Sequence, residues 1–454
     1  MSQSFREYLD DLRAQGPEEL WEIDQSVPLE YEMTAYAMEL ERQQYPPALL
    51  FNSVDGFDNP VVCNLFSSKK RLADILGIPE RELITGWPQV AAHRIKPEQV
   101  TDAPVKDVVH KGADVDLSKF PFPVHFASDG GRYITSGVAI ANDPDTGVGN
   151  LNFTRLQIKG KSVMGASMHS RGDLWDFQRR AEARGEALEV AIAIGVHPAV
   201  SIAGATQLPI NEDELELAGG ILNEPLAVVP AETIDLMIPA NAELVIEGVI
   251  KAETREDEGP FSEYTGYATD RSTRHVFNVT AVSHRNGMIY HDIVPGSASD
   301  HLNLSKVSRV PRVYEALKRI IPNATAISYP FSGTHFHCYL ALRDPKPGQA
   351  KQAMMLLFGL DMYLKLVVVV DDDIDVNNEQ EVLWALATRF QADRDSFVVD
   401  DVLCNMLDPS SRDGMSAKMG LDATRPTDFT AKKMLLPDDV IEKVRAGIAT
   451  RTSK

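Results

Sequence analysis

The sequence predicts a multidomain protein of the α+β/α/β class, with an α/β opening, a strand-rich, barrel-like middle and an α/β unit near its C-terminal end. Three observations carry this expectation. Helical and strand patterns alternate over residues 3–76, and short alternating or apolar runs with few helices dominate 120–300. Beyond them, two helical patterns flank an apolar run of buried-strand type at 365–370. With 454 residues, the chain has length for two or three domains of about 100–200 residues each.

Taken in order, Phe5, Tyr8, Leu9 and Leu12 fall at helical spacing over 3–15, and Gly16-Pro17 ends the pattern. A second helix is expected over 31–43. The compact apolar runs 48–51 and 60–66 are bounded by turns and read as strands, and 68–76 as a helix closed by Gly77. Pro97, Pro104 and the polar residues between them mark a boundary near 95–108. Strands are then expected over 133–142, 151–159 and 162–168, followed by a helix over 173–184 that Gly185 stops. A buried strand over 188–194 ends at Gly195, a helix over 211–222 starts at Asn211, and 242–250 and 276–282 are further strands. The helical pattern 302–321, interrupted by Pro311, leads into the last unit. There 348–360 and 378–390 read as helices around the 365–370 strand. An amphipathic helix over 437–450 carries Val440, Ile441, Val444 and Ile448. No internal repeat or low-complexity segment is visible.

A formal charge of −21 and a pI near 5.0 argue against nucleic acid or an anionic membrane as the main partner. An anionic substrate must therefore be met by locally placed Arg or Lys. Cys63, Cys338 and Cys404 are scattered without CxxC spacing, as expected of buried or idle thiols in a reducing compartment. The most apolar run, 364–370, is far too short to span a bilayer, and the polar N-terminus does not resemble a signal peptide. The expectation is a soluble cytoplasmic protein.

The stretch Glu258-Gly259-Pro260-Phe261-Ser262-Glu263-Tyr264-Thr265-Gly266 places two carboxylates on either side of a Gly-Pro turn. Glutamates fixed in different surroundings have separated pKa values, the raw material of general acid/base chemistry. The charged residues 253–257 just before it equally fit a solvated acidic loop. Arg155, in Asn150-Leu151-Asn152-Phe153-Thr154-Arg155, enters a predicted strand on the same face as Phe153, and Arg is suited to gripping a carboxylate with two parallel hydrogen bonds. A half-exposed surface Arg is its alternative. His169 closes the next strand after Met168 and has a structural alternative. Glu214 lies in the first turn of a helix, where the dipole alone favours acid. An Asn carbonyl, a His nitrogen and a carboxylate would together suit Mg²⁺ or Mn²⁺ more than a soft metal, although Asn150, His169 and Glu214 do not form a metal motif by spacing. His335 and His337 alternate along an apparent strand, and a metal role there is the weaker reading. The run 371–375 lacks the Gly and distal Glu of an EF-hand and reads as a strand-end loop. Phosphate-loop, Rossmann and nucleophile-elbow patterns are absent.

Several of these segments match one family in order. The chain resembles the UbiD family of reversible decarboxylases, which use prenylated FMN, through Asp129-Gly130-Gly131-Arg132-Tyr133-Ile134-Thr135, residues 150–155 and residues 258–266. Leu217-Ala218-Gly219-Gly220, Trp384-Ala385-Leu386-Ala387-Thr388-Arg389 and Lys418-Met419-Gly420-Leu421-Asp422-Ala423-Thr424 continue the match. The resemblance implies a split β-barrel flavin-binding domain (106–300) after an N-terminal α/β subdomain (1–105). A linker helix (301–325) and a C-terminal α/β dimerisation domain (326–454) complete that fold, in a homodimer or higher homo-oligomer. It implies that Arg155, Glu258 and Glu263 are the catalytic trio, and that Asn150, His169 and Glu214 bind a Mn²⁺ or Mg²⁺ ion tied to the flavin phosphate. Phe153, Thr154 and Met168 would line the cofactor, Lys418 would reach its phosphate, and K⁺ would bind nearby. The segment between Arg155 and His169 is shorter than in the ferulic acid decarboxylase branch, so the pocket shape does not carry over.

The implied reaction is the reversible, non-oxidative loss of CO₂ from an α,β-unsaturated, aromatic or heteroaromatic carboxylic acid, with a flavin prenyltransferase supplying the cofactor. Arg155 would orient the carboxylate, Glu258 would align the guanidinium, and Glu263 would return the proton. Two other readings remain open: a flavin-independent metal-dependent decarboxylase or hydrolase built on the Asn/His/Glu set, and a non-catalytic flavin-binding module.

Overall fold

The computed structural model describes residues 3–168, 172–434 and 436–452. Its centre is a nine-stranded antiparallel sheet. Eight strands form one path: β1 (Tyr133–Ile134), β2 (Val138–Asn142), β3 (Gly149–Phe153), β4 (Arg155–Ile158), β5 (Val163–Ser167), β6 (Leu188–Ile194), β7 (Leu244–Glu258) and β8 (Ser272–His284). The hydrogen-bonded order is β1-β4-β5-β8-β7-β6-β2-β3, and Val108–Lys111 adds to β8. Thr154 alone separates β3 from β4 in sequence, yet they lie near opposite ends of that order. Laid flat, strands spaced about 4.8 Å apart would hold them roughly 30 Å from each other. A single residue cannot span that distance, so the sheet is curled into a half-barrel whose two edges meet at Thr154. The short 135–137 link from β1 to β2 crosses the same seam.

The N-terminal layer packs on this half-barrel. Leu20–Ile23, Ala48–Phe51 and Val61–Cys63 form a sheet whose fourth strand, Tyr290–His291, comes from beyond β8. One apolar cluster runs from Phe5, Leu9 and Leu50 through Val138, Ile140 and Ala193 to Leu304, so layer and barrel share a core. Asp300 ties them together: its buried carboxylate accepts the backbone N–H groups of Asn64 (3.0 Å), Phe66 (2.7 Å) and Val294 (3.0 Å). The C-terminal unit has separate cores around a five-stranded sheet ordered Ala324–Ser328, His337–Leu342, Leu366–Asp371, Met415–Ala423, Ser396–Leu403. Cys63, Cys338 and Cys404 are buried free thiols. No helix among the described residues is long and apolar enough to cross a membrane.

Several elements depart from the sequence expectation. The runs 133–142 and 151–159 each split in two, because the seam interrupts a hydropathy pattern that itself continues across it. In place of a 211–222 helix, the structure has Glu214–Leu222 capped by Asp213, whose carboxylate accepts the Leu215 N–H at 2.7 Å. The acidic residues 253–257 belong to β7, which extends to Glu258 past a bulge between Ile250 and Arg255 with Glu253 at φ 55°. Charges on both faces of that extension hide its period of two. Pro311 lies inside the second of two helices, Ser299–Lys306 and Arg309–Lys318. His335 sits in a turn and His337 begins a strand, so they do not share a strand face. Pro198–Gly204, all of it buried, and the strands at 324–328, 396–403 and 415–423 carried no clear pattern.

Asp300→Ala leaves three buried N–H groups without an acceptor, at about 1–3 kcal/mol each. The expected loss is at least about 3 kcal/mol, read as a lower urea midpoint. An unchanged midpoint would contradict the role given to this carboxylate.

Candidate active site

Arg155 is the first residue of β4, immediately after the seam, and Glu258 is the last residue of β7. Glu258 is fully buried, and its two oxygens accept from Arg155 Nε (3.0 Å) and Nη2 (2.8 Å) in a side-on fork. After Glu258 the chain turns at Gly259, with φ 99°, and a cis Gly259–Pro260 bond. It then forms the short strand Phe261–Ser262, which pairs with Ala268–Thr269. Glu263 follows, and its Oε1 accepts from Arg155 Nη1. The guanidinium also lies over the Phe261 ring, 4.8 Å from its centroid. Three sequence-distant side chains thus converge, with Arg155 and Glu263 only 12% and 14% exposed.

The two glutamates differ in their surroundings. Glu258 makes both bonds of a fork, whereas Glu263 makes one. Burial pushes the Glu263 carboxyl above its ordinary value, Arg155 pulls it down and the Glu258 charge pushes it up again. Burial also works against the Arg155 charge, but hydrogen bonding to Glu258 and the pull of both carboxylates leave its pKa raised. Arg155 therefore stays cationic, while burial favours the protonated form of Glu263. A guanidinium has five N–H donors. Three are engaged here among the described residues, leaving one on Nη1 and one on Nη2.

Space for Glu258 comes from Gly165 on β5, where an added Cβ would lie 3.1 Å from Glu258 Cγ. Tyr133 closes the other side: its hydroxyl donates to the Pro260 carbonyl at 3.0 Å and its ring packs on Phe261 at 4.7 Å.

A second polar cluster lies where β3 meets the Glu214–Leu222 helix. Asn150 and Glu214 are both buried, and Glu214 Oε2 accepts from Asn150 Nδ2 (3.0 Å) and the Leu151 N–H (2.9 Å). Asp173 stands 3.4 Å from the same amide nitrogen. Burial raises the Glu214 pKa to about 8. The Oδ1 of Asn150 and the hydroxyl of Thr154 are buried without a hydrogen-bond partner among the described residues. An orphaned amide oxygen beside desolvated carboxylates is the donor set a hard divalent cation needs, so these residues fit one. The third expected ligand, His169, lies outside the described residues. Among the described residues, no three His, Cys, Asp or Glu side chains are grouped to hold a metal.

Other expected cofactor residues divide. Met168 and Thr154 are buried, and Phe153 is half-buried and packs towards Gly204. Phe153 and Arg155 belong to different strands, paired with β2 and β5 respectively, so the single strand face expected for them does not exist. Lys418 departs from its expected role. It is fully buried in the C-terminal sheet, and its ammonium donates to the carbonyls of Met362 (3.0 Å) and Leu364 (2.8 Å). A desolvated ammonium held by two carbonyls of its own domain is a structural group in this conformation.

Sequence reasoning missed Asp173 near Asn150, and Asp129, Tyr133 and Gln157 around the 259–263 turn. Asp129 and Tyr133 stood inside the 129–135 segment, which marked their importance without showing what they touch. Gln157 was visible only as the residue two after Arg155, on the same side of β4.

Comparison with known proteins finds relatives along most of the chain. Residues 98–298 match the 3-octaprenyl-4-hydroxybenzoate carboxy-lyase Rift-related domain, 303–423 its C-terminal domain and 9–87 its N-terminal domain. The anhydromevalonate phosphate decarboxylase of Methanothermobacter thermautotrophicus is 32% identical over 415 residues, covering 90% of this chain and 95% of the relative. That of Aeropyrum pernix is 33% identical over 410 residues, covering 89% and 90%. The UbiD-class enzyme HmfF from Pelotomaculum thermopropionicum, solved with FMN, superposes with a TM-score of 0.90 at 37% identity, covering 95% of this chain and 97% of that one. An evolved dimeric form of HmfF with prFMN gives 0.88 at 34% identity, covering 97% and 98%. These matches define the class of protein as a carboxy-lyase. With relatives above 30% identity over most of its length, the chain belongs to the UbiD family.

Gly165→Ala drives a methyl group against Glu258 inside a strand held by ladders on both sides. Overpacking of this kind costs about 1–3 kcal/mol, and calorimetry is expected to show a lower melting temperature. A variant that melts with the wild type would show that Glu258 has room to move.

Proposed function

We propose that this protein catalyses the reversible, non-oxidative decarboxylation of an α,β-unsaturated, aromatic or heteroaromatic carboxylic acid with prenylated FMN. The observation that carries the proposal is the unequal engagement of Arg155 by two glutamates, doubly by buried Glu258 and singly by Glu263. The complexes of HmfF with FMN and prFMN support a flavin in this chain. When bound, the modified flavin supplies the electron sink for the charge left as CO₂ departs. Asn150, Glu214 and His169 would hold a Mn²⁺ or Mg²⁺ ion with the cofactor phosphate, and K⁺ belongs to the same reading.

The chain's own residues perform the remaining work. The free N–H groups on Nη1 and Nη2 of Arg155 receive the substrate carboxylate, and the fork from Glu258 fixes the guanidinium plane, so the acid arrives in one orientation. With both glutamates ionised, the trio carries one net negative charge and would repel that acid. With a proton on Glu263 the trio is neutral and the acid is accepted. The same proton, held at a Glu263 carboxyl oxygen, then replaces CO₂ on the substrate carbon. In the reverse direction Glu263 removes it.

The domain assignment extends this reading: residues 106–300 hold the flavin, 301–325 form the link and 326–454 the oligomerisation unit. Exposed Val398, Leu403, Met406 and Met419 in and beside the outer strands of the C-terminal sheet support self-association as a homodimer. A flavin prenyltransferase supplies the cofactor, and the cytoplasm is the proposed compartment.

The test is co-expression with a flavin prenyltransferase, followed by a screen of acids for CO₂ release and for deuterium exchange at the carbon that loses CO₂. Glu263→Gln is expected to keep fold and cofactor while turnover falls by at least about 10²-fold, and near-normal turnover would refute the assignment. Arg155→Ala is expected to abolish kcat. A raised KM with kcat intact would make Arg155 a binding residue only. Because the Glu263 pKa is raised, the protonated donor persists above the ordinary carboxyl range, and kcat for decarboxylation is expected to fall as pH rises through that raised value.

A further inference from the structure

Between Glu258 and Glu263 the backbone is gripped by polar groups that the mechanism above does not use. Gln157, two residues after Arg155 on β4, accepts the Gly259 N–H at 3.2 Å and donates to the Gly130 carbonyl at 2.9 Å. The Pro260 carbonyl accepts twice, from the Gly130 N–H (2.7 Å) and the Tyr133 hydroxyl (3.0 Å). Asp129 Oδ1 accepts both the N–H (2.9 Å) and the hydroxyl (2.8 Å) of Ser262, while Oδ2 accepts the Phe126 N–H at 3.0 Å. Gly130 approaches so closely that a Cβ there would stand 2.4 Å from the Gly259 oxygen and 2.8 Å from Gln157 Nε2.

We propose that Asp129 is a positioning residue for proton transfer: with Gly130 and Gln157 it fixes the 259–262 turn, and so sets Glu263 against Arg155. This inference rests on the decarboxylase reading. Arg155 and Gln157 leave the same strand on the same side. One arm therefore holds the glutamates by charge, and the other holds the backbone between them. The jig matters because Glu263 makes one bond to Arg155, so its carboxyl can swing unless its backbone is fixed. Misplacement of a reacting group by about 1 Å can cost on the order of 10²-fold in rate.

Charge adds a second effect. The groups facing Glu263 are Arg155 on β4, Glu258 on β7, Arg274 on β8 and Asp129 on the jig. The Asp129 anion favours the protonated form of Glu263, so removing that charge favours the ionised form.

The deciding experiment compares wild type and Asp129→Asn as flavin-loaded enzymes, on the acid found by the wild-type screen, with kcat and KM measured across pH. The expected result is a fall in kcat of about 10-fold or more, KM within about two-fold, and a basic limb displaced to lower pH. A merely structural residue would not move that limb. Deuterium exchange of the backbone amides over 259–263 is measured on the same samples, and faster exchange is expected in the variant. A folded variant with wild-type cofactor content, kcat and pH profile overturns the proposal. If wild type turns over no acid, the functional reading fails by itself, and unchanged amide exchange in Asp129→Asn then overturns the jig. Should Asp129→Asn not fold, Ser262→Ala decides. It removes the hydroxyl's bonds to Asp129 and Ser128 and keeps the Ser262 N–H bond to Asp129, so a smaller fall in kcat is expected and an unchanged kcat counts against the proposal.

Discussion

The site depends on one electrostatic constraint: the guanidinium of Arg155 is almost out of water and must be neutralised where it stands. A buried cation without a partner costs several kcal/mol. The charge at the barrel seam therefore draws in a carboxylate from the end of β7, 103 residues away, and a second from beyond the following turn, 108 residues away. The Glu258 fork satisfies the charge and fixes its plane. Glu263 then faces a cation already neutralised, in a place where ionisation is disfavoured. Glu263 is left the weaker position, with one bond to Arg155 and a raised pKa.

The curl of the sheet makes that encounter possible. Arg155 begins β4 at the point where the two sheet edges meet, while β7 lies in the middle of the strand order. In an open sheet the seam and the end of β7 would be strands apart. Curling brings them together, and Gly165 on β5 gives Glu258 the volume it needs. Asn150, which joins Glu214 and Asp173 in the second polar cluster, stands five residues before Arg155 on the far side of the same seam. A fold with one such discontinuity can place two buried polar clusters on either side of it.

Much of this was legible in the sequence, for identifiable reasons. Strands 48–51 and 188–194 and helices 5–15 and 69–76 carry dense apolar patterns and firm stops, and the structure places them where they were expected. The trio was legible as residue types around a Gly-Pro turn and through the family resemblance. The split of 151–159 was not, because hydropathy records burial and Phe153 and Arg155 flank the seam in similar environments. Nor was the acidic half of β7, which projects with charge on both faces. Lys418 shows the opposite failure. It stands in a run that matches the family, yet its ammonium is spent on two carbonyls of its own sheet. A motif gives a position and cannot say which way the side chain turns.

The residue after Glu263 places the trio in the context of the whole chain. Tyr264 packs its ring on His335 at 4.6 Å, Phe336 at 5.8 Å and Tyr363 at 5.9 Å, all in the C-terminal unit. The Asp129 grip on Ser262 precedes Glu263, and this aromatic contact follows it. The carboxyl is thus suspended between a rigid half-barrel and a unit with its own core. Burial is the leading cause of its raised pKa. The fork between Arg155 and Glu258 lies wholly within the half-barrel. In the proposed reaction, the pair that would orient the acid therefore lies in one unit alone, and the residue that would carry the proton is followed directly by a contact with the other unit.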